Sequence, residues 1–257
     1  MTMVITSYTP AHKISRILVL PGQNSTRITA LIWSILNARQ QIINAFENNT
    51  EIDFISTWIN IVDENSKLKA VKEAWKNMHP WEIKNKNLTF LDSNDYSLNA
   101  LMANFVATTS NMLFKRKVYD QIGGMRNLRF AHDWDFLLRV SSKFNCFSME
   151  KALLNYRVHD FNTISSNRKW MLFEVCWVMA ANIDKFSEKL IPIFSSNKLI
   201  KSAVNLFESL NFQGNDKVFW LLYFQISAMK KNGLLNPEEI YLEDNSLREE
   251  FIKYINV

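Results

Sequence analysis

The stretch Arg129-Phe130-Ala131-His132-Asp133-Trp134-Asp135-Phe136-Leu137-Leu138-Arg139 gathers ionisable and aromatic side chains more densely than any other part of the chain. A second cluster, Asn155-Tyr156-Arg157-Val158-His159-Asp160-Phe161-Asn162-Thr163, follows soon after. Aspartate is favoured in a first helical turn, where it meets the positive end of the backbone dipole, and that suffices to explain Asp135. It does not explain His132, Asp133 and Trp134 together, placed shortly after Gly123-Gly124 and at the start of a long apolar helix. Other chemistries are excluded by what is missing. No Gly-x-Gly and no Gly-Lys-Ser/Thr occurs among the 5 glycines, so neither a dinucleotide fingerprint nor a Walker loop is present. Cys146 and Cys176, the 2 cysteines, form no Cys-x-x-Cys pair, which excludes a zinc ribbon or disulfide scaffold and predicts buried thiols.

The elements that must hold these residues are mixed at first and helical later. With 257 residues, 47% hydrophobic and 21% charged, the chain can bury a sizeable core. Met3–Tyr8 and Ile17–Leu20 read as short strands, Thr29–Phe46 as a helix, and Asp53–Val62 as the clearest strand, closed by the polar turn Asp63-Glu64-Asn65-Ser66. Phe105–Phe114 reads as a second strand. Lys117–Ile122 predicts a helix ended by Gly123-Gly124, Asp133–Lys143 a further helix, and Asn145–Met149 with Ala152–Val158 a hairpin. From about Asn167 only helical periodicity remains: Arg168–Phe186 with a broad apolar face whose run Trp170–Ile183 is interrupted by Glu174, a stripe from Ile200 to Phe207, and a helix capped by Asp216 and running to Lys230. Helix starts follow at Asn236-Pro237-Glu238-Glu239 and Ser246-Leu247-Arg248-Glu249. The expected architecture is therefore α/β, with residues 1–165 as the body and residues 166–257 as a C-terminal helical appendage.

The run Ala107–Val140 (ATTSNMLFKRKVYDQIGGMRNLRFAHDWDFLLRV) and the run Ala152–Ser165 (ALLNYRVHDFNTIS) together resemble the acceptor-side half of family 2 glycosyltransferases. The likeness covers about half the chain and reaches back to the strand at Asp53. It implies a GT-A-like mixed sheet and transfer of a sugar, with inversion, from a nucleotide diphosphate to an acceptor hydroxyl. Carried over position by position, Asp133 is implied as the general base that takes the hydroxyl proton. His132, Trp134, Asp135, Ser110 and Asn111 are implied around the acceptor. Arg157 and His159 are implied at the diphosphate, where a guanidinium pairs well with phosphate oxygens, and His159 also as a metal ligand. His132 departs from the glutamate that many relatives carry there.

The resemblance further implies a Mg²⁺ or Mn²⁺ ion held by an Asp-x-Asp motif. No acidic residue precedes Glu47, so the donor half reads as shortened and the motif as missing. The implied partners are a nucleotide sugar and a carbohydrate or glycolipid acceptor. A second expectation is a degenerate glycosyltransferase that keeps its pocket as a sugar- or partner-binding module. His132-Asp133, with His79 upstream, also resembles the metal pair of HD-type phosphohydrolases, but that all-helical fold conflicts with the expected strands. The net charge of +5 comes without a dense basic stripe, which argues against nucleic acid and is compatible with an anionic membrane surface. Met1–Ile17 lacks a signal peptide's order of parts and no apolar run reaches the ~20 residues of a membrane span. The expected location is cytoplasmic, with room for peripheral contact at a membrane.

Overall fold

The computed structural model describes residues 3–5, 25–77, 93–158, 167–194, 212 and 214–257. In chain order the elements are β1 (Met3–Ile5), α1 (Ser25–Asn48), β2 (Phe54–Val62), β3 (Leu68–Lys72), α2 (Tyr96–Met102), β4 (Leu113–Lys115), α3 (Arg116–Ile122), α4 (His132–Ser141) and β5 (Cys146–Arg157). Helices α5 (Arg168–Asn182), α6 (Ser187–Phe194), α7 (Asp216–Lys231), α8 (Ile240–Glu243) and α9 (Asn245–Lys253) follow. The fold is α/β, a mixed sheet flanked by helices. The expected strand Ile17–Leu20 and the stripe from Ile200 to Phe207 lie outside the described residues, as do His79 and His159.

Strand β2 is the axis of the five-stranded sheet. Its run of β-branched and aromatic residues is buried along nearly its whole length, as suits a strand covered on both faces. Side chains of a strand alternate between faces. Phe54 accordingly joins the large core beneath α2, α4 and α5, while Ile55 joins a smaller cluster with Ile42 and Phe46 of α1. Asp53, just ahead of the strand, is ion-paired to Lys115 at 3.4 Å and Lys117 at 2.7 Å. One edge of β2 pairs in parallel with β5 from Phe54↔Cys146 to Val62↔Arg157. The other edge pairs antiparallel with β4 at Phe54–Ile55 and with β3 at Ile59–Val62, and β1 extends the sheet beyond β4.

Two sequence expectations change. Residues 145–158 form no hairpin: β5 is a single strand of 12 residues. Glu150-Lys151 lacks the backbone chemistry of a tight turn, and the two residues are absorbed as a bulge where the register jumps from Thr57↔Met149 to Trp58↔Ala152. The expected strand Phe105–Phe114 shrinks to Leu113–Lys115. Ala107 adopts φ +63°, which turns the chain out of extended geometry, and Thr108 then caps a short 3₁₀ turn over Thr109–Asn111. The Asn111 amide takes the place of the lost strand: Oδ1 accepts from the Thr57 N–H and Oγ1, and Nδ2 donates to the Thr57 and Val106 carbonyls. It thereby fills the gap on the β2 edge between β4 and β3. The Phe105 side chain packs instead edge-on against Trp75 and Tyr96.

The C-terminal helices share the core of the sheet layer. One continuous set of buried side chains runs from Phe54 and Phe114 through Phe136, Phe173 and Trp177 to Phe219, Tyr241 and Ile255. The expected caps change: α9 is capped by Asp244, whose carboxylate accepts from the Leu247 N–H, rather than by Ser246. Asp216 lies inside α7 with Asn215 at its cap position, and neither Asn215 nor Asn236 makes a side-chain cap hydrogen bond.

Candidate active site at the start of helix α4

Helix α4 begins at the chemistry-bearing run, and its geometry separates the two aspartates. Residues two apart on a helix point about 200° away from each other. Asp135 turns inward and is wholly buried, with Oδ2 held by Arg139 at 2.8 Å and Oδ1 by Arg126 at 3.3 Å and Asn182 Nδ2 at 3.0 Å. Arg139 also donates to the Ile122 and Gly124 carbonyls. It thus caps α3 at the Gly-Gly turn, where both glycines have positive φ. Asp135, Arg139 and the two glycines therefore form a supporting unit for α4, and Asp135 has no oxygen left for an acceptor.

Asp133 turns the other way. It is 8% exposed, and Oδ1 accepts the Trp134 N–H at 2.8 Å. Asn104, whose Oδ1 accepts the Ala107 N–H, offers its amide to the same carboxylate. Burial pushes the Asp133 carboxyl above its ordinary range, while His132, the Trp134 N–H and Asn104 pull it back. The phenol of Tyr156 lies within its field: burial first, and then the Asp133 charge, raises the Tyr156 hydroxyl. Tyr156 stands opposite Ile61, next to last on both β5 and β2. Asp133 thus lies within electrostatic reach of Tyr156, which stands near the carboxyl ends of the two parallel strands, the end at which open α/β sheets offer a ligand crevice.

The loop that delivers α4 is fixed from beneath. Glu174, fully buried on α5, accepts the backbone N–H groups of Arg129 at 2.8 Å, Phe130 at 2.6 Å and Ala131 at 2.9 Å, and the Trp170 indole N–H at 3.0 Å. Four donors converging on one carboxylate hold residues 129–131 rigidly just before His132 and Asp133. The Trp134 indole is buried and donates to the Ala100 carbonyl at 2.8 Å, tying the last turn of α2 to the first turn of α4.

The remaining expected site residues lie as follows. His132 is half-buried beside Asp133, and Ser110 is exposed on its 3₁₀ turn. Asn111 is buried against β2 in the role already described. Arg157 donates to the carbonyls of Asp63 at 2.8 Å and Glu64 at 2.6 Å and to Ser66 Oγ at 2.9 Å, so it fastens the turn that ends β2. Among the described residues no three His, Cys, Asp or Glu side chains gather into a set that could hold a metal ion. Cys146 and Cys176 are free thiols, both raised by burial, Cys176 to about 12, and neither is suited to act as a nucleophile.

Sequence reading did not single out Asn104, Tyr156 or Glu174 as parts of this site. The signal for Glu174 was the one carboxylate inside the apolar stretch Trp170–Ile183. Tyr156 sat within the second cluster, and its nearness to the Asp133 charge depends on the fold that brings β5 towards α4. Comparison of the chain with known protein families, with curated proteins and with solved structures finds no match.

Proposed function

We propose that this chain is a glycosyltransferase-like protein of GT-A type, in which Asp133 takes the proton of an acceptor hydroxyl as that oxygen attacks the anomeric carbon of a nucleotide-linked sugar. The carbon–oxygen bond to the acceptor forms as the bond to the diphosphate breaks, and the diphosphate leaves with the electron pair. The observation that carries the reading is the setting of Asp133, a desolvated carboxyl on a firmly held helix start, within electrostatic reach of Tyr156 near the carboxyl end of a parallel strand pair. Desolvation raises its basicity toward the working range of a general base. Asn104 is positioned to orient it, and Tyr156 lies within its field. The scheme is written without a divalent cation, and His159, the residue implied as its ligand, lies outside the described residues.

A second reading, a non-catalytic sugar- or partner-binding remnant, is favoured by Arg157, whose guanidinium is engaged by the β2–β3 turn and not held open for a diphosphate. Isothermal titration with a panel of nucleotide sugars, with and without Mn²⁺, separates the two. The transferase reading expects saturable donor binding that changes little with Mn²⁺. Absence of binding to every donor would leave the remnant.

A further inference from the structure

Helix α7 buries Val218, Phe219, Leu222 and Ile226 against the core. Its other side presents a stripe of opposite character. Lys217, Trp220, Leu221, Phe224 and Lys231 recur at helical spacing and are all exposed. Trp220 is 39% exposed, Leu221 45% and Phe224 63%, and the Trp220 and Phe224 rings stack at 5.8 Å. Lysine stands at each end of this apolar centre and Lys230 adjoins it, while the only carboxylate on the helix is Asp216 in its first turn. Just past the helix, Leu235 is 89% exposed. Contiguous exposed apolar side chains of this size mark a contact surface.

We propose that this face of α7 seats the protein on an anionic lipid surface. Aromatic and aliphatic side chains flanked by lysines suit the boundary between acyl chains and headgroups, where lysine stems lie along the apolar layer and the ammonium groups meet phosphates. A second copy of this chain fits poorly. Whether two such helices met parallel or antiparallel about a two-fold axis, a lysine end would face a lysine end. Among the described residues no helix is long and apolar enough to cross a membrane, and in this contact α7 lies along the surface. The inference is independent of the transfer reading.

The test is flotation of the full chain with vesicles of phosphatidylcholine alone and of phosphatidylcholine mixed with phosphatidylglycerol, alongside sedimentation velocity. Binding should be about 10–100-fold tighter on the anionic vesicles and should weaken with added salt. The pair Leu221→Ser and Phe224→Ser should lower binding to the anionic vesicles about tenfold, with unchanged circular dichroism because both side chains are exposed. The pair Lys217→Glu and Lys231→Glu should abolish the preference for anionic lipid. The proposal is overturned by equal partition onto both vesicles, by no binding, or by binding insensitive to these variants. A dimer that the Phe224→Ser change dissolves would show that the face belongs to a second copy, and a soluble acidic protein competing where lipid does not bind would assign it to a protein partner.

Discussion

Asp133 and Asp135 carry the same functional group two positions apart, yet they should answer substitution in opposite ways. Asp135 neutralises Arg126 and Arg139 in a site closed to water. Removing its charge leaves buried guanidinium groups uncompensated, and Asp135→Asn should cost about 3–5 kcal/mol of stability, read from urea unfolding. Asp133 is raised by burial and therefore opposes folding once it ionises. Below pH about 3.8, the ordinary value, folded and unfolded chains both hold the proton. As pH climbs past that value the unfolded chain ionises first, so the wild type loses stability until the folded carboxyl ionises as well. Asp133→Asn should thus be neutral or slightly stabilising at pH 7, with the gain disappearing on acidification below that window. A large loss of stability at pH 7 would mean that Asp133 is structural.

At the scale of elements, the start of α4 depends on α5 through a single side chain. Glu174→Gln places an amide where backbone N–H groups need an acceptor, and should cost about 2–3 kcal/mol. For a chain of this size that is a fall in melting temperature of roughly 4–12 °C, measurable by calorimetry. If residues 129–131 are what the carboxylate orders, their amide hydrogen exchange should accelerate more than that of β2. Periodicity and composition made β2, α3, α4 and α5 legible to within one or two residues at most ends, since each has a strong apolar pattern and a clear stop. The segment Phe105–Phe114 was not legible as it folds, because its alternation is strand-like while the deciding interaction, Asn111 against Thr57, lies 54 residues away. The same holds for the site: Asp133 stood out by its company, but its division of labour with Asp135 depends on which helix face meets Arg126 and Asn182. Asn111→Ala should test the replacement strand directly, destabilising the chain by about 2–3 kcal/mol through the unpaired Thr57 groups.

For the whole molecule, one core joins the sheet to the helices beyond Asn167, and Arg126 adds polar ties from Asp135 to Glu238 at 2.8 Å across it. A chain ending at residue 166 would expose the partners of Phe173 and Trp177 and lose Glu174, and it should fail to give a cooperative unfolding transition. The helices are then part of what holds the candidate site, and the transfer reading can be tried only on the full chain. The decisive measurement is release of nucleoside diphosphate by the full chain from the donor it binds best, wild type against Asp133→Asn, at matched folded fraction. A positioned general base predicts a fall in turnover of about 10²–10⁴-fold with little change in donor affinity. Equal turnover in the two proteins would contradict the assignment of Asp133 as the base.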